Sequence, residues 1–175
     1  MKTKLVVVIV VALTVWGLKR HYSDAGADDL RWILSPTAWL VGTATGTAFT
    51  MAPGEGYVSH ERLFVIEKTC AGVNFLAAAF GMVAFGFMHR VRSTVSCVSV
   101  LGGSLIAGYG AAVVVNAVRI VIAMWLAAHP ITLFTLTAGD VHRFEGIAVY
   151  FGGLVVLAEL ARRIDRSAFL ARCGR

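Results

Sequence analysis

The stretch CAGVNFLAAAFGMVAFGFM, residues 70–88, contains no charged side chain. An α-helix rises about 1.5 Å per residue, so a run of about 20 apolar residues is long enough to cross the hydrocarbon core of a bilayer. Basic side chains follow the run at once, at His89, Arg90 and Arg92. The stretch therefore predicts a transmembrane helix with a basic end.

Other apolar runs lie on both sides of this one. They cover residues 5–18, 32–52, 93–115, 120–138 and 146–161. Hydrophobic residues make up 58% of the chain and the mean hydropathy is +0.76, whereas soluble domains contain about 45–50% apolar residues. The chain is therefore predicted to be an all-α integral membrane protein and not a soluble globular domain.

The run from residue 120 to 138 differs from the others because His129-Pro130 divides it. Proline breaks or kinks a helix, and each half has only about eight or nine residues, which is too few to cross a bilayer. This segment is predicted to form a re-entrant or interfacial hairpin. The predicted fold is thus one membrane domain over residues 1–175, a bundle of five to six transmembrane helices with this additional segment.

The first run has two interpretations. Lys2 and Lys4 before a short apolar core, and Ala25-Gly26-Ala27 after it, resemble a signal peptide with its cleavage site. Lys19 and Arg20 lie between the core and the small residues, and a charged pair there disfavours cleavage. A retained helix is the preferred interpretation.

The placement of charge predicts the orientation. The formal net charge is +6, and the arginines stand in short groups beside apolar runs. This pattern is typical of cytoplasmic loops in membrane proteins, so no nucleic-acid partner is expected. The basic turn at residues 89–92 and the basic tail at 162–166 are predicted to be cytoplasmic. The polar loop at residues 53–69 is then predicted to be outside.

This orientation places three chemically interesting residues, Cys70, Arg119 and His142, near the outer face of a cytoplasmic (inner) membrane. It also places the amino terminus outside, although Lys2 and Lys4 favour the opposite orientation for that end. The predicted site is therefore periplasmic or extracellular.

Cys70 is one of three cysteines, with Cys97 and Cys173, and so sparse a set is not a disulfide framework. Cys70 follows a polar loop and opens a predicted helix, whose partial positive charge favours the reactive thiolate. Nearby Glu67 opposes this effect. Cys70 is therefore either a nucleophile or a small buried cysteine, and Cys97, within an apolar run, is predicted to serve packing.

Arg119 lies within the apolar segment VVVNAVRIVIAMW, residues 113–125. A cation at the centre of a membrane helix costs roughly 2.5–3.5 kcal/mol and is usually kept for a task. Asn116 precedes it by three residues, on the same helix face. Arg119 is interpreted either as a functional cation or as an interfacial arginine that reaches the lipid headgroups.

His142 stands in GDVHRFEG, just before the last apolar run. An imidazole titrates near neutral pH and suits a general base or an ion-pair partner of a thiolate. Asp140, Arg143 and Glu145 surround it and are able to orient the ring, although an ordinary loop histidine is also compatible with the pattern. The histidines show no metal-ligand spacing, so no metal site is predicted.

At these residues the sequence resembles the exosortase/archaeosortase family of membrane-embedded cysteine transpeptidases. The similarity rests on EKTCAGVNF around Cys70, NAVRIVIAM around Arg119 and HRFEG at His142, in that order. It covers about residues 60–160 and is greatest to the exosortase K subgroup. The chain is shorter than many members of the family, which have more helices and extra domains.

The resemblance implies that Cys70 is the nucleophile, Arg119 stabilises the oxyanion or the substrate carbonyl, and His142 is the base. Supporting roles are expected for Asn74, Asn116, Asp140 and Glu145, with no cofactor. The implied substrate is an exported, membrane-anchored protein with a carboxy-terminal sorting signal, consisting of a short motif, a transmembrane segment and a basic tail. The implied acceptor is a polysaccharide or a lipid-linked molecule of the cell envelope.

Two other functions remain open from the sequence. One is a non-catalytic membrane subunit of a secretion or polysaccharide-assembly system, packed through glycine-rich helices. The other is a small transporter with Arg119 on the path of the solute. Neither needs a reactive thiol at the outer face.

Overall fold

The computed structural model describes residues 2–129 and 138–173, without the side chains of residues 2, 138, 142 and 168–173. Within these residues, five α-helices and three short strands follow one another. They are α1 (Lys2–Asp24), α2 (Arg31–Thr45), β1 (Thr50–Ala52), β2 (Gly56–Ser59), β3 (Phe64–Ile66), α3 (Val73–Gly86), α4 (Thr94–Ala128) and α5 (Ala138–Cys173). Two 3₁₀ turns, Lys68–Cys70 and Met88–Arg90, flank α3.

Four helical segments of the described residues are long and apolar enough to cross a membrane. They are Thr3–Asp24, Lys68–Gly86, Thr94–Ala128 and Gly139–Ser167. Large apolar side chains on them are exposed, such as Val95 at 77% and Ile106 at 75%. Such surfaces are stable in lipid and not in water. The chain is therefore an all-α integral membrane protein, as predicted from its composition.

The predicted count of five to six crossings included two segments that the structure describes differently. The helix α2 has 15 residues, a length of roughly 22 Å, whereas the hydrocarbon core is about 30 Å thick. The first half of the segment at residues 120–138 is not a separate element, because α4 continues through it to Ala128. Residues 130–137, including Pro130, lie outside the described residues, so the hairpin stays a prediction.

The helix predicted over residues 32–52 ends seven residues early. Gly46 adopts a left-handed conformation (φ 66°) and its N–H donates to the carbonyl of Gly42, which is a common way to end a helix. A side chain at position 42 would lie only 2.9 Å from the carbonyl oxygen of Thr47. Glycine at both positions therefore lets the chain turn back towards β1.

The polar loop predicted at residues 53–69 contains most of an antiparallel sheet of order β1-β2-β3. Thr50 pairs with Val58, and Tyr57 pairs with Ile66. The strands have only three or four residues, which is too short for an alternating apolar pattern to be recognised. The sheet matters for the site because β3 leads directly into the turn that contains Cys70.

Two compact units can be distinguished. Unit 1 comprises Met1–Arg20, Val73–Ala111 and Gly153–Arg175, and unit 2 comprises His21–Gly72 and Ala112–Gly152. The core of unit 1 is apolar and consists of Val7, Val11, Phe80, Ala84, Val91 and Cys97. The packing role predicted for Cys97 is confirmed, since it is only 6% exposed in this core. The single domain remains a prediction.

Candidate functional site

Cys70 lies in unit 2, in the 3₁₀ turn between β3 and α3. Its N–H donates to the carbonyl of Glu67 at 2.9 Å, and the residue is half-buried. The α-helix itself begins only at Val73. The prediction that Cys70 opens the helix is therefore corrected, because the thiol belongs to the turn that precedes it.

Gly72 separates Cys70 from α3 and has the left-handed conformation, with φ 65°. A Cβ at this position would lie 3.2 Å from Cγ of Asn116. Glycine is therefore favoured at position 72 for two reasons: the left-handed backbone conformation and the close approach of the Asn116 amide. The turn is built so that a residue from α4 reaches its backbone.

The turn is also tied to the end of α1 within unit 2. Lys68 donates from Nζ to the carbonyl of Ser23 at 3.2 Å, and its ammonium lies 5.1 Å from the ring centroid of Tyr22. The hydroxyl of Tyr22 donates to the carbonyl of Lys68 at 3.4 Å. These contacts hold the backbone on the amino-terminal side of the thiol.

Asn116 joins three segments of unit 2 through one buried amide. Its Nδ2 donates to the backbone carbonyl of Cys70. Its Oδ1 accepts from the hydroxyl of Tyr150 at 2.9 Å and from Nε of Arg119 at 3.5 Å. Asn116 is completely buried, so its bonds form where water does not compete and where an unsatisfied amide would be costly.

Arg119 is buried as well, with 9% of its surface exposed. Its guanidinium carbon lies 5.4 Å from the ring centroid of Tyr150, a cation–π distance. The backbone of Gly146 lies against it, because a Cβ there would stand 3.6 Å from Nη1. The charge of Arg119 also acts on Glu145, whose carboxylate oxygens are both buried. Arg119 is thus buried against residues of α5.

The residues of α5 near this arginine follow a helical repeat. Gly146 and Tyr150 are four residues apart, which places them on one face of the helix. Position 142 precedes position 146 by the same step. His142 was predicted to lie before the last helix, but its backbone lies inside α5, which begins at Ala138. Its side chain lies outside the described residues.

The structure therefore gathers part of the predicted site. We call the group in unit 2 the Asn116 cluster; it consists of Cys70, Asn116, Arg119, Glu145 and Tyr150. Asp140 lies half-buried in the first turn of α5. Asn74, by contrast, lies exposed on α3 and belongs to unit 1.

Tyr150 is a member of the cluster that the sequence did not predict. In the sequence it stands in an apolar run, where a tyrosine is an ordinary packing or interfacial residue. The signal was its spacing, since HRFEGIAVY places histidine, glycine and tyrosine at positions 142, 146 and 150. Tyr150 is close enough to Cys70 and Arg119 to interact electrostatically with both.

The cluster combines a half-buried thiol with a buried guanidinium whose orientation is fixed. Such a guanidinium is able to donate hydrogen bonds to a negative charge that develops on a carbonyl oxygen, and burial strengthens that interaction. In the described part of the chain, no group of three or more His, Cys, Asp or Glu residues is placed to hold a metal ion.

Comparison with family models, with curated proteins and with solved structures finds no match to this chain. The resemblance to the exosortase/archaeosortase family therefore stays a prediction that rests on the three sequence motifs.

Proposed function

We propose that this chain is a membrane-embedded cysteine transpeptidase or peptidase that acts on exported proteins with a carboxy-terminal sorting signal. The observation that supports it best is the amide of Asn116. It connects the backbone of Cys70 to Arg119 and Tyr150, so residues from three distant segments meet in one buried group. Two of the three sequence motifs of the resemblance supply Cys70, Asn116 and Arg119, whereas Tyr150 lies outside the motifs.

In the proposed first step, the thiolate of Cys70 attacks the carbonyl carbon of the scissile peptide bond. A C–S bond forms, and the carbonyl oxygen becomes an oxyanion. The guanidinium of Arg119 donates hydrogen bonds to this oxygen. Because the guanidinium is already oriented by Asn116 and Tyr150, little reorganisation is needed when the charge develops.

The intermediate then collapses, and the C–N bond breaks. The leaving amine takes a proton from the imidazolium of His142, the proposed acid and base, and the substrate acyl group remains on Cys70 as a thioester. An amine or hydroxyl of an acceptor attacks the thioester, its proton passes to His142, and the thiolate leaves. Water in place of the acceptor gives hydrolysis.

The proposed location is a cytoplasmic membrane, with the site at its outer face. The support is the charge pattern, since the basic turn at residues 89–92 and the basic segment at 162–166 favour the cytoplasmic side. Arrival of an exported substrate from the outer side agrees with this orientation. The proposed acceptor is a polysaccharide or lipid-linked molecule of the envelope.

The test is processing of a substrate in cells. Proteins encoded in the same genome that end in a short motif, an apolar helix and a basic tail are co-expressed with the chain, and cleavage is followed by the shift in substrate size. Cys70→Ala is expected to abolish processing, and His142→Ala to cost nearly as much, because groups that act as a unit are not additive.

Cys97→Ala is the matched control, since it removes a thiol from the apolar core of unit 1. It is expected to leave processing unchanged. A Cys70→Ala variant that still cleaves its substrate would exclude the cysteine enzyme and favour a non-catalytic subunit or a transporter.

A further inference from the structure

Unit 1 contains a cavity of about 390 Å³ between the end of α3 and the last part of α5. This volume falls within the roughly 300–1,000 Å³ of small-molecule sites. Its walls are mostly apolar, with Met82, Val83 and Phe87 on one side and Ala158 and Ala161 on the other. The cavity is thus a mostly apolar groove between two helices that are long and apolar enough to cross a membrane.

Charged side chains line one part of this cavity. They are Arg162, Asp165 and Arg166. The carboxylate of Asp165 is already bound, because Oδ1 lies 2.6 Å from Nε of Arg90 and 3.2 Å from Nε2 of His89. The acidic lining residue is therefore neutralised by partners from the turn after α3.

Arg162 and Arg166 are four residues apart, so they share one face of α5. Nη2 of Arg162 lies 3.1 Å from Oε2 of Glu159, but 65% and 41% of these two side chains are exposed. An exposed ion pair of this kind is weak and is readily exchanged. An anion that enters the cavity is thus able to recruit both guanidiniums, which bind phosphate oxygens in a planar, bidentate geometry.

The geometry points to a binding site for one acidic phospholipid. Its phosphate is held by Arg162 and Arg166, and an acyl chain lies along the apolar walls formed by α3 and α5. Ala158 and Ala161 are only half-buried, and only 6% of the membrane-spanning window of α5 is buried inside the protein, so the α5 wall is open to lipid. The apolar lining favours a lipid over a soluble phosphate. A zwitterionic headgroup is disfavoured because its ammonium meets a region rich in guanidinium groups.

A lipid bound here connects the ends of two helices and stabilises the folded state by mass action. The site is built entirely from unit 1 residues, whereas the Asn116 cluster belongs to unit 2. Its test therefore stands whether or not the chain is an enzyme.

The test uses the full chain, purified in a non-ionic detergent, with native mass spectrometry and thermal melting as readouts. Phosphatidylglycerol is expected to remain bound as one copy and to raise the melting temperature by several degrees. Phosphatidylcholine is expected to bind at least tenfold more weakly, and glycerol phosphate is expected to have no effect. Equal binding of phosphatidylcholine, or an equal shift with glycerol phosphate, would overturn the proposal.

Two variants distinguish binding of the lipid in this cavity from a general electrostatic attraction to the basic end of α5. Arg166→Gln removes one charge from the cavity and is expected to weaken the binding of phosphatidylglycerol about tenfold. The matched control is Arg163→Gln, which removes the same charge from the same helix but from a residue outside the cavity, paired with Glu159. Equal losses in both variants would show a diffuse effect of charge and overturn the site.

A third variant tests the apolar wall with the charges intact. Ala161→Phe adds volume inside the cavity and is expected to prevent retention of the lipid, while the melting temperature without lipid stays close to that of the wild type. Undiminished binding of phosphatidylglycerol to this variant would place the lipid elsewhere.

Discussion

Cys70 and Cys97 are chemically the same residue, but they stand in two different regions. Cys97 is packed in the core of unit 1 with Val7, Phe80 and Ala84. Cys70 is half-buried in a turn of unit 2, and its backbone is held by the amide of Asn116. A thiol in an apolar core is inert, whereas a thiol beside cations and donors is able to react. The surroundings therefore assign packing to Cys97, whereas the reactivity of Cys70 stays a proposal.

Among substitutions in the Asn116 cluster that leave the Cys70 thiol in place, Arg119→Lys has the largest expected effect. Lysine keeps the charge but cannot present the planar set of donors. We expect processing to fall by about 100-fold or more, the range found when one oxyanion donor is removed. The variant is expected to fold, which gel filtration and thermal melting check. Processing at the wild-type rate would mean that Arg119 acts only as a charge or as a membrane anchor.

The next largest effect is expected when the hydrogen bonds from Asn116 to Cys70 and Tyr150 are removed. Asn116→Leu keeps a similar volume but leaves the carbonyl of Cys70 and the hydroxyl of Tyr150 without their amide partner. We expect a loss of about 1–3 kcal/mol in the free energy of unfolding and a clear loss of processing.

Ser104→Ala on the same helix is the control for Asn116→Leu. Ser104 is 2% exposed, and its hydroxyl makes no hydrogen bond within the described residues. We expect a change in stability below about 0.5 kcal/mol and normal processing. Equal effects of the two substitutions on thermal melting and processing would mean that the Asn116 bonds do not organise the site.

A smaller effect is expected from Gly72→Ala, measured against Gly46→Ala. Both glycines have nearly the same left-handed conformation, with φ 65° and 66°, so both substitutions are expected to cost about 1 kcal/mol of stability. An added Cβ meets Asn116 at position 72 and nothing within 4 Å at position 46. Only Gly72→Ala is therefore expected to slow processing as well. Equal processing by the two variants would show that the approach of Asn116 to the turn is unimportant.

The sequence predicted the membrane helices well because apolar length is a strong and local signal. The prediction was wrong where polar residues within an apolar run did not end the helix, and where the strands were short. Asn116 and Arg119 interrupt the apolar run but do not break the helix, so α4 continues into the segment that was predicted to be separate, as far as Ala128. The strands of residues 50–66 were too short to show alternation.

The site was predicted in part, for a related reason. Cys70 and Arg119 stand out locally as a thiol beside a polar loop and a cation among apolar residues. Tyr150 does not, because its role arises from contacts with residues more than 30 positions away. Such contacts depend on tertiary packing, and the four-residue spacing in α5 shows only which positions share a helix face.

The most direct test of the account is the reactivity of the two thiols in intact cells. Variants that retain only Cys70 or only Cys97 are treated with a membrane-impermeant maleimide, and labelling is measured before and after solubilisation and denaturation. We predict that Cys70 is labelled rapidly in intact cells and that Cys97 is labelled only after denaturation. Labelling of Cys97 as fast as Cys70, or no labelling of Cys70 before denaturation, would contradict a reactive thiol at the outer face.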